Sequence, residues 1–298
     1  MFIWLYAAIF GYFLSAISKV FDKILLAKAI PEPIVFTVFA GLLSGFVIVL
    51  TPFGFALVSG VTFIYAMAAG MCVLVALYFL YSALREYDAS RVVPLVASIG
   101  PFITLLLSVQ FIQGQYTKYE LIAFVFLVVG GLLLSWNPRI AQKIQWSLLS
   151  KVLAAAVCMS GSYILTKLVF NSTPFLNGVI WTRFGIFFSA LLLLLFARVR
   201  EALRMMPRVK MSYSGFFVLN KVIGAFGLLS VDYAIKYGSP ALVNALGSFE
   251  YFFVFLFAIV FTILAPRILR EDISGRALAL KLGGSAALSV SLFFLFYS

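Results

Sequence analysis

The sequence predicts an all-α membrane protein of ten transmembrane helices, arranged as two inverted five-helix repeats. Three observations carry that expectation. Of 298 residues, 64% are hydrophobic and 11% charged; the mean hydropathy is +1.13; and charges, prolines and turn residues cut the apolar sequence into runs that match a bilayer core of about 30 Å. A soluble domain covers its surface with roughly a quarter of its residues as charges, whereas this chain has 22 bases and 10 acids in all. The uncovered surface must face lipid.

Taken in order, the spans fall at residues 2–21, 34–51, 62–84, 92–112, 119–136, 148–170, 175–197, 213–235, 240–264 and 277–297. The first begins at the amino terminus. Met1 to Ile17 has neither the basic region nor the small-residue cleavage site of a signal peptide, so it reads as a retained span. Asn137-Pro138-Arg139 closes the fifth span and Ala265-Pro266-Arg267 the ninth. Stretches such as Leu191 to Phe196 are apolar on every face, which excludes the alternation of a β-barrel strand. No linker divides off a soluble part, so residues 1–298 read as one membrane domain.

Orientation follows from the bases, because short cytoplasmic loops are enriched in Lys and Arg. Of the 22, 16 lie in or beside connections that follow odd-numbered spans and 3 in those that follow even-numbered spans, while Arg183, Lys221 and Lys281 lie within spans. Both termini are therefore expected outside.

The halves resemble each other at two offsets. At 144, Lys23 meets Lys167 and Gly41 meets Gly185; at 151, Ala83-Leu84-Arg85 meets Ala234-Ile235-Lys236, and Val92 and Leu95 meet Val243 and Leu246. The basic connection from Arg198 to Lys210 accounts for the drift. Residues 1–140 are then the first repeat and 141–298 the second. An odd number of spans per repeat makes the second enter the membrane upside down.

The stretch ALREYDASRVVPL from Ala83 to Leu95, then Gly114-Gln115-Tyr116-Thr117 and a glycine-bearing fifth span, resembles the first half of the ten-helix EamA-like branch of the drug/metabolite transporter superfamily. AIKYGSPALVNAL, Ala234 to Leu246, is similar to it in the second half. The chain has Gln115 where the family usually has Glu, and no charge from Thr51 to Gly60, where the family usually carries a basic loop. The resemblance implies a secondary transporter.

Polar groups placed where they are costly point to function, since an ionisable side chain near the bilayer centre costs roughly 2.5–3.5 kcal/mol on insertion scales. Glu250 lies mid-span in the ninth, after Gly247-Ser248-Phe249. It reads as a proton-coupling site or a counter-ion for a substrate amine; the alternative is a fixed ion pair. Arg183 in the seventh span and Lys221 in the eighth, beside Asn220, are its expected opposites. Lys221, Gly224, Leu228 and Asp232 share one helical face, which predicts a polar stripe along a cavity. Asn244 completes the expected substrate or coupling set. Lys19, Lys23 and Lys167 are candidate entrance residues, with interfacial anchoring as the alternative. Pro94, Gly100 and Pro101 in the fourth span and Gly247 in the ninth are expected hinges, because interrupted helices at matching positions of two repeats mark transporter sites; close packing of small residues is the alternative.

With no histidine, no phosphate loop and no cluster of acids or cysteines at metal spacing, the sequence predicts neither enzyme, cofactor nor metal site. Its bases form no dense stripe, so nucleic acid is not an expected partner. The expected partners are membrane lipid, a small-molecule substrate and protons, with the protein a monomer or homodimer in the cell (cytoplasmic) membrane. Alternating-access transport of an amino acid or small organic anion, in the export direction, is the leading expectation. A lipid or lipid-linked sugar flippase and a non-transporting scaffold are the alternatives. The orientation is checked by a cysteine at Arg204, which should resist an impermeant thiol reagent in intact cells; ready labelling there reverses the topology.

Overall fold

A computed structural model describes residues 2–28, 32–87, 89–136, 145–205, 211–264 and 275–297. Among them are ten helices long and apolar enough to cross a membrane. In hydrocarbon each backbone N–H and C=O must be satisfied within the protein, and a helix does this inside a single segment.

The first span is Ile3–Lys28. The second is Pro33–Gly54, an α-helix to Leu43 that tightens into a 3-10 helix over Ser44–Leu50. Gly60–Glu86, Ala89–Ile112, Lys118–Ser135, Trp146–Ser172 and Phe175–Leu193 form the third to seventh. The eighth is Met211–Tyr237, the ninth is split into Pro240–Leu246 and Ser248–Leu264, and the tenth is Gly275–Phe296. The expected divide between repeats, residues 137–144, lies outside the described residues.

Side-chain bonds show which turns share a face. On the terminal face, where the amino terminus lies, the backbone N–H of Ala56 donates to Asn177 Oδ1 (3.1 Å), and Ser239 Oγ donates to the Tyr116 hydroxyl (3.0 Å). On the opposite, basic face, Arg85 pairs with Glu32 (2.8 Å), Lys151 with Glu86, and the Tyr87 hydroxyl donates to Gln145 Oε1 (3.1 Å). The amphipathic helix Ala197–Arg204 lies on that face, its Ala202 and Leu203 against Val35 and Phe36. Helix starts on the terminal face are capped locally: Ser59 accepts from Thr62 N, and Thr117 with Glu120 forms a reciprocal capping box.

The longest packing seams join the first span to the eighth, the third to the sixth and seventh, and the fifth to the tenth. The fourth lies along the sixth and meets the ninth, whose second segment runs against the first and fifth; the second packs on the seventh. Glycines set three of these crossings. Gly11 meets Gly227, Gly70 meets Gly185, and Gly130 meets Gly284, so closely that a Cβ on any of the six would lie 2.1–3.0 Å from the facing backbone.

This yields a contrast. A Cβ on Gly185 would stand 2.2 Å from the Ala66 carbonyl oxygen, whereas one on Gly283 would meet only Leu133 Cδ1 at 3.9 Å. Gly185→Ala should lower the melting temperature in detergent, by about 1–3 kcal/mol of stability, while Gly283→Ala should leave it unchanged or raise it slightly. Equal melting temperatures for the two variants contradict the close crossing.

Candidate functional site

Among the described residues the most buried carboxylate, Glu250, lies one turn beyond the break in the ninth span, and its N–H donates to Gly247 O at 3.0 Å. Its ionic partner is Lys19, from the first span. Glu250 keeps 8% of its side-chain surface accessible and Lys19 keeps 58%, so a buried acid is paired with an exposed base. Lys19 lies within electrostatic reach of Tyr81 on the third span and Tyr251 on the ninth, so it faces between spans. It occupies the half of the first span nearer the basic face.

A second buried pair joins Arg183 of the seventh span to Asp232 of the eighth, with 17% and 11% of their side chains accessible. Glu250 therefore pairs with neither of the bases expected to oppose it. Lys221 lies instead over the ring of Phe36, its Nζ 5.0 Å from the centroid, and Phe36 stacks edge-on to Tyr81 at 4.8 Å. The expected stripe is interrupted, since Gly224 packs against Ser18 and Leu228 is half exposed. Asn220 is buried beside the first span, where its carbonyl faces Ser18 Oγ at 3.5 Å. Asn244 belongs to a separate chain: its Nδ2 donates to Thr104 Oγ1 (2.6 Å), Thr104 donates to Gly100 O (3.0 Å), and Ser160 donates to the same carbonyl (2.9 Å). That chain ties the fourth, sixth and ninth spans together at Gly100.

The hinge candidates divide. Gly247 interrupts the ninth span, but Pro94, Gly100 and Pro101 lie inside one continuous helix. Each proline withholds only one N–H, which a helix packed on its neighbours tolerates.

Lys167 is committed to helix ends. Its ammonium donates to Ile235 O (2.9 Å), Lys236 O (2.7 Å) and Gly238 O (2.9 Å), using all three protons to cap the eighth span. Lys236 returns the contact, donating to Thr173 O (2.7 Å) and Phe170 O (3.5 Å) at the end of the sixth. Cations at the negative ends of helix dipoles satisfy carbonyls that have no intrahelical donor. This reciprocal clasp closes the two helices together on the terminal face, which leaves Lys167 no proton to offer an entering anion. The Lys23 side chain lies outside the described residues.

Three tyrosines escaped the sequence reading. Tyr12, Tyr163 and Tyr251 all lie within electrostatic reach of Glu250, and Tyr163 also of Asp232. The signal for Tyr12 was its spacing, seven residues before Lys19 on the same helical face. Nothing in the sequence marked Tyr163 among 14 tyrosines. No three His, Cys, Asp or Glu side chains gather to hold a metal ion among the described residues.

No family model matches the chain. An uncharacterised protein of Methanocaldococcus jannaschii is 41% identical over 71 residues, covering 24% of this chain and 51% of that protein. The match thus spans about half the length of the relative. A solved crystal structure of a protein 15% identical to this chain superposes with a TM-score of 0.68 over 96% of each chain, so the fold itself is one already seen experimentally.

The unequal exposure of the pair gives an asymmetric expectation. Lys19→Met strands a buried carboxylate, which costs about 3–5 kcal/mol in a fully buried pair and less here because Lys19 is exposed. Glu250→Gln strands an ammonium that is already exposed. Lys19→Met should therefore melt lower than Glu250→Gln, and the double variant should recover much of the loss. Equal losses that simply add contradict the pairing.

Proposed function

We propose that this chain is a secondary transporter that works by alternating access, an EamA-like member of the drug/metabolite transporter superfamily. In this reading it exports a small polar or amphipathic metabolite, an amino acid or small organic anion, across the cytoplasmic membrane with protons as the coupling ion. The observation that carries the reading is the Lys19–Glu250 pair, which joins a buried acid to an exposed base.

A zwitterion entering there can divide the pair with every charge finding an opposite. An anion that takes Lys19 leaves Glu250 without its counter-charge, and a proton taken up by Glu250 restores neutrality. A purely structural ion pair gains nothing from an exposed partner, since exposure only weakens it.

Two features support alternation. Lys19 is exposed in the half of the first span nearer the basic face, while the Lys167–Lys236 clasp joins the sixth and eighth spans at the terminal face, an asymmetry that alternation between one-sided states would require. The seams also exchange under a shift of five spans, as inverted repeats require. The third span packs on the sixth as the eighth packs on the first, and the fourth on the sixth as the ninth on the first. The second with the seventh and the fifth with the tenth are pairs that such a shift maps onto themselves. Gly11 and Gly227, at the first–eighth crossing, correspond at the two offsets to Ala155 and Ala76, both buried on the third–sixth seam.

The test begins with a thermal-shift screen of purified protein against zwitterionic, anionic and cationic metabolites. A ligand at a hundred times its Kd adds about 2.7 kcal/mol of stability, and the hits are expected among zwitterions and small anions. In proteoliposomes, uptake of the hit should follow an imposed pH gradient and be lost in Glu250→Gln. Cationic hits alone, or uptake unchanged in Glu250→Gln, overturn the assignment, and lipid scrambling without metabolite uptake replaces it with a flippase.

A further inference from the structure

A break in a membrane helix leaves backbone groups that some other element must satisfy. At the break in the ninth span, the Gly247 N–H turns to Asn244 O at 3.0 Å, one residue short of the helical position. Val243 O thereby loses the donor that a continuous helix would give it. Tyr12, from the first span, supplies one: its hydroxyl donates to Val243 O at 2.7 Å. The Tyr12 ring also fills the break, 3.6 Å from where a Cβ on Gly247 would stand.

Proton accounting orders the next contact. A phenol has one proton, and that of Tyr12 is committed to Val243, so the 3.2 Å contact between the two hydroxyls is a bond that Tyr163 donates. The sequence Tyr163 to Tyr12 to Val243 O thus runs from the sixth span through the first into the ninth. On the other side of the break, the first span holds Glu250 through Lys19, two turns from Tyr12 on the same face. One helix therefore grips both segments of the broken span, with a neutral hydrogen bond before the break and an ion pair after it.

We propose that Tyr12 and Tyr163 are positioning residues that fix the break at Gly247, so that release of Glu250 from Lys19 swings only the segment Ser248–Leu264. The purpose of that motion rests on the transport reading, but the geometry does not. While Tyr12 holds Val243, the first segment stays docked and the second is restrained through Glu250. Without the Tyr12 hydroxyl, Gly247 N–H is drawn back to Val243 O and the span becomes one continuous helix whether or not Glu250 is paired.

Spin labels on cysteines at Ile3 and Val260, both exposed, in a background with Cys72 and Cys158 replaced by Ala, report the second segment against the far end of the first span. No substrate is needed. Glu250→Gln is expected to shift the distance distribution in the background protein. Tyr12→Phe should shift it with Glu250 intact, and adding Glu250→Gln to Tyr12→Phe should change it little further. Tyr163→Phe keeps the Val243 bond but removes the donor behind it, so it should give a smaller shift, with a melting temperature near that of the background. Additive shifts from Glu250→Gln and Tyr12→Phe, or no shift from either, overturn the proposal. If the coupling is present while the proteoliposomes take up nothing, the transport reading fails and the positioning role stands.

Discussion

The ends of the sixth and eighth spans and the break in the ninth answer to one constraint: hydrocarbon offers no partner for a backbone N–H or C=O. A soluble protein would leave the last carbonyls of the sixth and eighth spans to water. Here the ends of both helices are met by lysine ammonium groups, each span contributing the one that serves the other. The break at Gly247 is met by a tyrosine from a different span. The same pressure lets Ser and Thr hydroxyls return to their own helix, as Thr37 does to Pro33 O and Thr182 to Gly178 O. Polar residues within the spans thus divide into those that complete the backbone and those that do not, and the Lys19–Glu250 pair falls in the second group.

That division explains which parts of the molecule were legible in the sequence. Span number was, because a bilayer demands long apolar runs, and so were some limits: the ninth span, read as 240–264, begins at Pro240 and ends at Leu264, whereas the seventh, read to 197, ends at Leu193 and yields to the amphipathic helix Ala197–Arg204. An interruption at Gly247 was expected too, but as one of a matched pair, and the fourth span that should have shared it is continuous. Partner choice was not legible. Glu250 was expected to oppose Arg183 or Lys221 because those lie at similar depth in the same half, yet its partner Lys19 comes from the other end of the chain. Depth along a span is a one-dimensional quantity, whereas pairing depends on which helices touch and how each is rotated. Lys167 illustrates the same limit, since an entrance cation and a helix cap have the same sequence signature near a span end.

The two buried ion pairs are not equivalent. Arg183 and Asp232 are both enclosed, so either alone would be a buried charge without a counter-ion, and the pair behaves as a fixed joint between the seventh and eighth spans. Lys19 is exposed and Glu250 is not. Tyr163 lies within electrostatic reach of both carboxylates.

The packing seams bear on how the chain is made. The first span is buried chiefly by the eighth, the third by the sixth and seventh, and the fifth by the tenth. Spans one to five therefore emerge from the ribosome before the partners that cover most of their packed surface exist. Gly11, Gly70 and Gly130 lie on faces that are completed only by the eighth, seventh and tenth spans. The finished bundle is thus a late set of helices interleaved into an early one.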